Sequence, residues 1–266
     1  MSGGDAWSDV AVEWSRSWGP AARPVHDRLI EVTRLRAGSS VLDVGCGTGE
    51  FIAALVDRGA HVSGVDPARG MVDHARSIAP TADIRVESWD ALPWPTATFD
   101  VVMAVNALQF ADDTISALTE ARRVTRTGGV VAIANWAERA LSDLDEIDAA
   151  LAAEDGEEPT PDGDLRLPGG LEAVLHEAGL EVVEAGTIDV PWTLDGDAAL
   201  LRAVLLDEES SDAVSSYREV VLRAAQRFLQ EDGRYLLNNT FRFVVGRVPE
   251  ASDAAPSGEE DVRHDE

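Results

Sequence analysis

A parallel, doubly wound α/β sheet is the fold class that the sequence predicts. Three observations carry it: β-branched runs alternate with helical stretches from residue 41, glycine turns mark the joins, and one run is apolar almost throughout. Residues 41–45, VLDVG, form the first strand, and GCGTG leads into the helical stretch EFIAALVDRG, which Gly59 ends. HVSGVD (61–66) is the second strand. PARGMVDHARSIA (67–79) follows as a helix, with Pro67 suited to its first turn. DIRVES (83–88) is the third strand. FDVVMAVNAL (99–108) is the fourth, apolar enough to be covered on both faces, and ADDTISALTEARRV (111–124) is the helix after it. VVAIANW (130–136) is the fifth, entered through the turn Thr127-Gly128-Gly129.

Upstream, residues 6–35 space their apolar positions helically, with Trp7, Trp14 and Trp18 in the earlier stretch and Val25, Leu29, Ile30 and Val32 in the later one. Gly19-Pro20 should separate a pair of short helices. Downstream of Trp136 the alternation stops. Residues 137–153 read as a helix, 154–164 as a loop, 167–179 as a helix and 180–190 as a sixth strand. Helical stretches around 196–206 and 211–230 precede a last strand, NTFRFVVGRV (239–248). We read 1–248 as one domain: a cap from 1–35, 137–178 and 196–230 on a core from 36–136, 179–195 and 238–248. Residues 249–266 hold seven acids, one Arg and little apolar content, and are expected to form a disordered acidic tail.

The 266 residues include 49 acidic against 22 basic side chains, all of the latter Arg, for a net charge of −27. The 45% hydrophobic content suffices for a full core. So negative a chain repels phosphate backbones and anionic lipid, so neither nucleic acid nor membrane is expected as a partner. No stretch approaches the roughly 18 apolar residues of a membrane-spanning helix, and the start lacks a basic and an apolar region, so a cytoplasmic location is expected. A single cysteine, Cys46, leaves no intrachain disulfide and no multi-thiolate zinc site, and no metal is expected. The ten acids without a basic residue in 143–164 read as a solvated face. Monomer and homodimer both remain open.

Chemistry concentrates in residues 41–51, VLDVGCGTGEF. Gly45, Gly47 and Gly49 allow a sharp strand-to-helix turn that a nucleotide-like ligand can approach. The spacing is G-x-G-x-G rather than the dinucleotide G-x-G-x-x-G, and Glu50 stands where the last glycine would be. With Asp43 two residues before Gly45, the turn prefers a cation to a pyrophosphate. Asp66 closes the second strand, about 20 residues on, where a carboxylate reaches ribose hydroxyls. Asp90 follows the third strand.

With VLDVGCGTG, the VD of strand two, WDALPWPTATFDVVMAVNALQF and RRVTRTGGVVAIANW in register, residues 38–136 resemble the class I S-adenosylmethionine-dependent methyltransferases. The likeness is to their small-molecule branch, which includes the ubiquinone/menaquinone-type enzymes and many of natural-product biosynthesis. It implies a Rossmann-like, seven-stranded, mostly parallel sheet with the last strand antiparallel, helices on both faces, a helical cap, and S-adenosyl-L-methionine as cofactor. It also implies that Gly45, Cys46, Gly47 and Gly49 line the methionine and ribose parts, that Asp43 serves the amino group, and that Asp66, with Pro67 beside it, takes the ribose hydroxyls. Met71 would pack on adenine, Asp90 would accept from its amino group between Trp89 and Ala91, and Asn106 would lie by the reactive methyl. Two departures stand out. Leu108-Gln109-Phe110 replaces the segment where relatives often carry a histidine, and Arg126-Thr127-Gly128-Gly129 replaces Lys-Pro-Gly-Gly.

In-line displacement at a sulfonium methyl gains chiefly from placing the nucleophile, an O, N or C atom of a small partly aromatic or apolar acceptor. Catalytic candidates are His26, Asn106 and Gln109; His61, His74 and His264 read as structural or solvated. Trp14, Trp18, Trp94, Phe110 and Trp136 are candidates for substrate contact. Two alternatives are a protein that uses the sulfonium for a non-methylating reaction and, less favoured by the glycine spacing, an NAD-dependent oxidoreductase.

Overall fold

The β-branched run Ser40–Val44 (β1) buries its last four residues, as a strand flanked on both sides must. The computed structural model describes residues 3–206 and 212–250. Around β1 lie β2 (His61–Asp66), β3 (Asp83–Val86), β4 (Phe99–Val105), β5 (Thr125–Trp136), β6 (Glu181–Leu194) and β7 (Tyr235–Arg247), in the order β3-β2-β1-β4-β5-β7-β6. The first five are parallel; β7 runs antiparallel to both of its neighbours. The sheet is therefore the seven-stranded α/β arrangement with an antiparallel last strand. Strand order reverses between β1 and β4, which opens a crevice at their C-terminal ends.

Ten α-helices are described: α1 (Gly3–Asp9), α2 (Ala11–Ser17), α3 (Arg23–Val32), α4 (Glu50–Asp57), α5 (Arg69–Ile78), α6 (Thr114–Val124), α7 (Asp143–Glu154), α8 (Gly170–Glu177), α9 (Gly196–Leu205) and α10 (Asp212–Ala225). One face of the sheet buries Leu29 of α3, Phe51, Ile52 and Leu55 of α4 and Val72 of α5. The other buries Leu118 of α6 and Leu171 and Leu175 of α8. A further core joins Ile147 of α7, Leu200 of α9 and Val221 of α10 to Trp192 and Leu237. This last core exists because β6 and β7 are long and pair on past the end of β5, from Asp189↔Thr240 to Leu194↔Tyr235. Their overhang gives the cap a floor.

Several expectations need adjusting. The N-terminal stretch makes three helices: a break at Val10 precedes the one at Gly19 to Ala22, and Trp7 and Trp14 meet edge to face across it at 5.1 Å. Pro67 lies outside α5, whose N-cap is Ala68 in an extended conformation. The helix α8, counted with the cap, packs on the sheet through Leu171 and Leu175. Most of the expected tail, residues 251–266 including His264, lies outside the described residues.

Candidate functional site

The glycine turn is hooked onto the sheet by its own backbone. Gly45 and Cys46 N–H both donate to Val65 O, at 2.8 and 2.9 Å, which ties the end of β1 to β2. Gly49, at φ +89, caps α4, and a Cβ there would lie 2.8 Å from Ala75 Cα, so α4 and α5 can cross only over a glycine. Gly47 N–H donates to Asp66 Oδ2 and Ala68 N–H to Asp66 Oδ1, each at 2.9 Å. Asp66 thus clasps two turns and still has a lone pair on each oxygen for a ligand.

Above these turns opens a cavity of about 510 Å³. Its floor is made by the C-terminal ends of the parallel strands: Asp43 and Val44 of β1, Asp66 of β2, Glu87 and Ser88 after β3, Val105 of β4 and Trp136 of β5. Of the residues expected at a cofactor, the cavity brings together Asp43, Gly45, Cys46, Gly47, Asp66, Pro67, Met71, Trp89, Asp90 and Asn106. Gly49 and Ala91 are not on its wall: Gly49 is turned toward Ala75, and Ala91 is exposed at the end of a 3-10 turn, Trp89–Ala91. Asn106 takes φ +52, a left-handed conformation that Asn tolerates, with its N–H on Ala134 O at 2.7 Å. Gln109 is off the wall too. Its amide donates to Asn106 Oδ1 at 2.8 Å and so orients that side chain.

Of the expected substrate contacts, Trp14, Trp18, Phe110 and Trp136 line the cavity. Trp94 does not, and that expectation is corrected. Its ring meets Phe99 edge to face at 5.4 Å and lies under the Arg85 guanidinium at 4.6 Å, contacts that engage it away from the cavity lining. Sequence reasoning missed Trp192 and Phe241. Trp192 projects from the β6–β7 overhang and packs on Trp18 with centroids 4.5 Å apart; Phe241 of β7, paired with Trp136 at the end of β5, packs on that ring at 4.4 Å. The alternation of apolar residues along β6 carries the signal for Trp192, but the sixth strand expected from the sequence stops at Val190.

Trp7, Trp14 and Trp18 form a continuous roof, with Trp7 against Phe110 at 5.9 Å and Trp14 stacked on Trp18 at 5.0 Å. Two polar contacts seat the helices carrying this roof on α4 and α5. Ser15 Oγ donates to Glu50 Oε1 at 2.5 Å, and Gly70 N–H donates to Ser8 Oγ at 3.1 Å. Glu50, expected to repel a pyrophosphate, also accepts from Thr48 Oγ1 at 2.6 Å.

Electrostatically the cavity is one-sided. Asp43, Glu50, Asp66, Glu87, Asp90 and Asp112 line it, and no Arg does among the described residues. Burial, then the charge of Asp66, push the Asp43 carboxyl up to about 7. Burial also raises Asp66, against the two N–H groups that stabilise its charge. Cys46 is driven well above its usual range, first by burial and then by Asp43, so it stays a thiol. A deep, acid-lined pocket lacking cations suits a ligand with positive charge and ribose hydroxyls, and the donor set fits S-adenosylmethionine on those grounds.

Comparison with known proteins bears on the same residues. Residues 42–133 match the family described as "Methyltransferase domain". Over 246 residues, 87% of this chain and 79% of the relative, the chain is 34% identical to the 27-O-demethylrifamycin SV methyltransferase of Amycolatopsis mediterranei. The chain belongs to the class I S-adenosylmethionine-dependent methyltransferases. Members of this family use S-adenosyl-L-methionine as methyl donor. Identity is also 34% to the malonyl-[acyl-carrier protein] O-methyltransferase of Serratia marcescens, but there the match spans 46% of this chain and 48% of the relative, about half of each. Among solved structures, the [4+2]-cyclase SpnF superposes with a TM-score of 0.60 at 21% identity, over 88% of this methyltransferase and 84% of that chain, a likeness of fold.

Proposed function

We propose that this methyltransferase transfers the sulfonium methyl of S-adenosylmethionine to a small, apolar, uncharged acceptor by in-line displacement. The observation that carries the reading is the division of one cavity into two ends. Carboxylates and the glycine turn, Asp43, Gly45, Gly47 and Asp66, form one end; Trp14, Trp18, Trp136, Trp192 and Phe241 form the other.

When bound, S-adenosylmethionine supplies an electrophilic methyl on a positively charged sulfur. In this reading Asp66 binds the ribose, Asp43 the amino group, Asp90 and Met71 the adenine, and Asn106, oriented by Gln109, stands near the reacting centre. The aromatic end positions the acceptor and excludes water, and placement of this kind supplies most of the rate gain of such a displacement. The acids stabilise the cofactor's charge before transfer, and the missing Arg leaves an acceptor carboxylate without a partner. The malonyl relatives act, by their name, on an acid. The lining here favours a neutral acceptor, and the longer likeness to the rifamycin enzyme favours one from natural-product biosynthesis. A cytoplasmic setting belongs to the same reading, supported by the lone, buried thiol of Cys46. Among the described residues no helix is long and apolar enough to cross a membrane.

The test is formation of S-adenosylhomocysteine from a panel of paired aromatic acceptors, each as the neutral amide and as the free carboxylic acid. Neutral members should be turned over in preference to acids by roughly tenfold or more, the scale of one unpaired buried charge. Equal or reversed preference would defeat the reading of the acceptor end.

A further inference from the structure

His26 lies on α3 at the aromatic end of the cavity, with 9% of its surface exposed. Its ring stacks on Phe51, centroids 4.3 Å apart and planes 5° from parallel, so the imidazole is held in one orientation. Among the described residues no hydrogen bond reaches either ring nitrogen, and neither nitrogen is a fully buried, unpartnered atom, so the ring's polar edge stays accessible to a ligand in the cavity. Two other polar side chains of the cavity already accept hydrogen bonds. Glu50 accepts from Ser15 and Thr48, and Asn239 Oδ1 accepts from Ser142 Oγ and the Leu144 N–H, both at 3.1 Å. The Asn239 amide nitrogen can only donate.

Resting on the methyl-transfer reading above, we infer that His26 is the hydrogen-bond and proton acceptor for a hydroxyl on the acceptor, and that the substrate class is aromatic alcohols of the phenol type. Four tryptophans and a phenylalanine line the same cavity, which suits a flat ring. A phenolic hydroxyl has a pKa of about 10, so it arrives protonated and must lose its proton to become a good nucleophile. Burial holds the imidazole down to about 4, against the opposing charge of Asp27 on its own helix, so the ring is neutral and free to accept.

The step balances within the cavity. The hydroxyl oxygen forms the new O–CH3 bond while the CH3–S bond breaks and its electron pair stays on sulfur, giving the neutral thioether. The hydroxyl proton passes to His26 and later to solvent. One positive charge leaves sulfur and one appears on the imidazolium, so the field of Asp43, Asp66 and Glu50 acts on a single positive charge throughout.

His26→Phe tests this, because a phenyl ring keeps the stack on Phe51 and removes only the nitrogens. Phenol, 2-naphthol and their thiol counterparts serve as probes, with S-adenosylhomocysteine formation as one readout. Calorimetric binding of 2-naphthol to the S-adenosylhomocysteine-saturated enzyme is the other. The wild type should turn over at least one hydroxyl probe. The variant should lose 10²- to 10⁴-fold in kcat on it, change by less than about threefold on the thiol, which ionises unaided, and bind 2-naphthol about fivefold more weakly. Equal loss on alcohol and thiol, no loss on either, or no hydroxyl turnover by a wild type that binds S-adenosylmethionine would overturn the assignment of His26. Failure to bind S-adenosylmethionine at all would instead strike the methyltransferase reading beneath it.

Discussion

Ser15 Oγ lies 2.5 Å from Glu50 Oε1, and this hydrogen bond joins the N-terminal roof to the first residue of the helix that follows the glycine turn. Gly19 sits against the same carboxylate, where a Cβ would come within 2.7 Å of Glu50 Cδ. The roof is therefore registered on the cofactor end through one charged acceptor. Ser15→Ala should remove about 1 kcal/mol of roof attachment, the size of one partly buried hydrogen bond to a charge after solvent screening. Stopped-flow release of S-adenosylhomocysteine should quicken about fivefold with little change in melting temperature. An unchanged release rate would show that the aromatic contacts alone seat the roof.

Gly49 and Gly128 both have positive φ, but only Gly49 is crowded, by Ala75. Gly49→Ala should cost roughly 2–5 kcal/mol, from left-handed backbone strain plus forced separation of α4 and α5. Gly128→Ala, with nothing within 4 Å, should cost only the strain, about 1–2 kcal/mol. Thermal unfolding of the two variants measures the difference; equal losses would mean that the α4–α5 crossing gives way freely.

Cofactor binding should be linked to a proton. Asp43 is pushed up to about 7 in the ligand-free cavity. An arriving positive charge favours its ionised form, so the pKa falls on binding and a proton is released below about pH 7. Affinity for S-adenosylmethionine should therefore rise with pH through 6 to 7 and level off above 8. Calorimetry at pH 6.5 in two buffers of different ionisation enthalpy would detect the release, and Asp43→Asn should abolish it. Proton uptake in the wild type would show that the sign is wrong.

How much of the site is legible in the sequence follows from how local each signal is. The glycine turn, Asp43 and Asp66 act within one β-α-β unit, so their places can be read from VLDVGCGTG and HVSGVD, and the strand order with its antiparallel end comes with the resemblance. Trp192 and Phe241 cannot be read that way: Trp192 reaches the cavity from the stretch of β6 and β7 that pairs on beyond the end of β5, and Phe241 through its pairing with Trp136, both long-range consequences of register. Trp94 misleads for the same reason in reverse. An aromatic residue in a loop resembles a binding residue until Arg85 and Phe99, nine and five residues away, are seen to pack against its ring. Glu50 is legible as a charge that disfavours a pyrophosphate, but its role as anchor for Ser15 needs α2 in place.

The central claim, that the acid-lined glycine turn holds S-adenosylmethionine, is tested most directly by calorimetric titration of the purified chain with S-adenosylmethionine and, separately, with NADH. The account predicts saturable one-site binding of S-adenosylmethionine and none of NADH, with Asp66→Ala weakening the former by roughly 1.5–3 kcal/mol, about 10- to 150-fold, through loss of charged hydrogen bonds. Binding of NADH without binding of S-adenosylmethionine, or an Asp66→Ala affinity equal to the wild type, would contradict it.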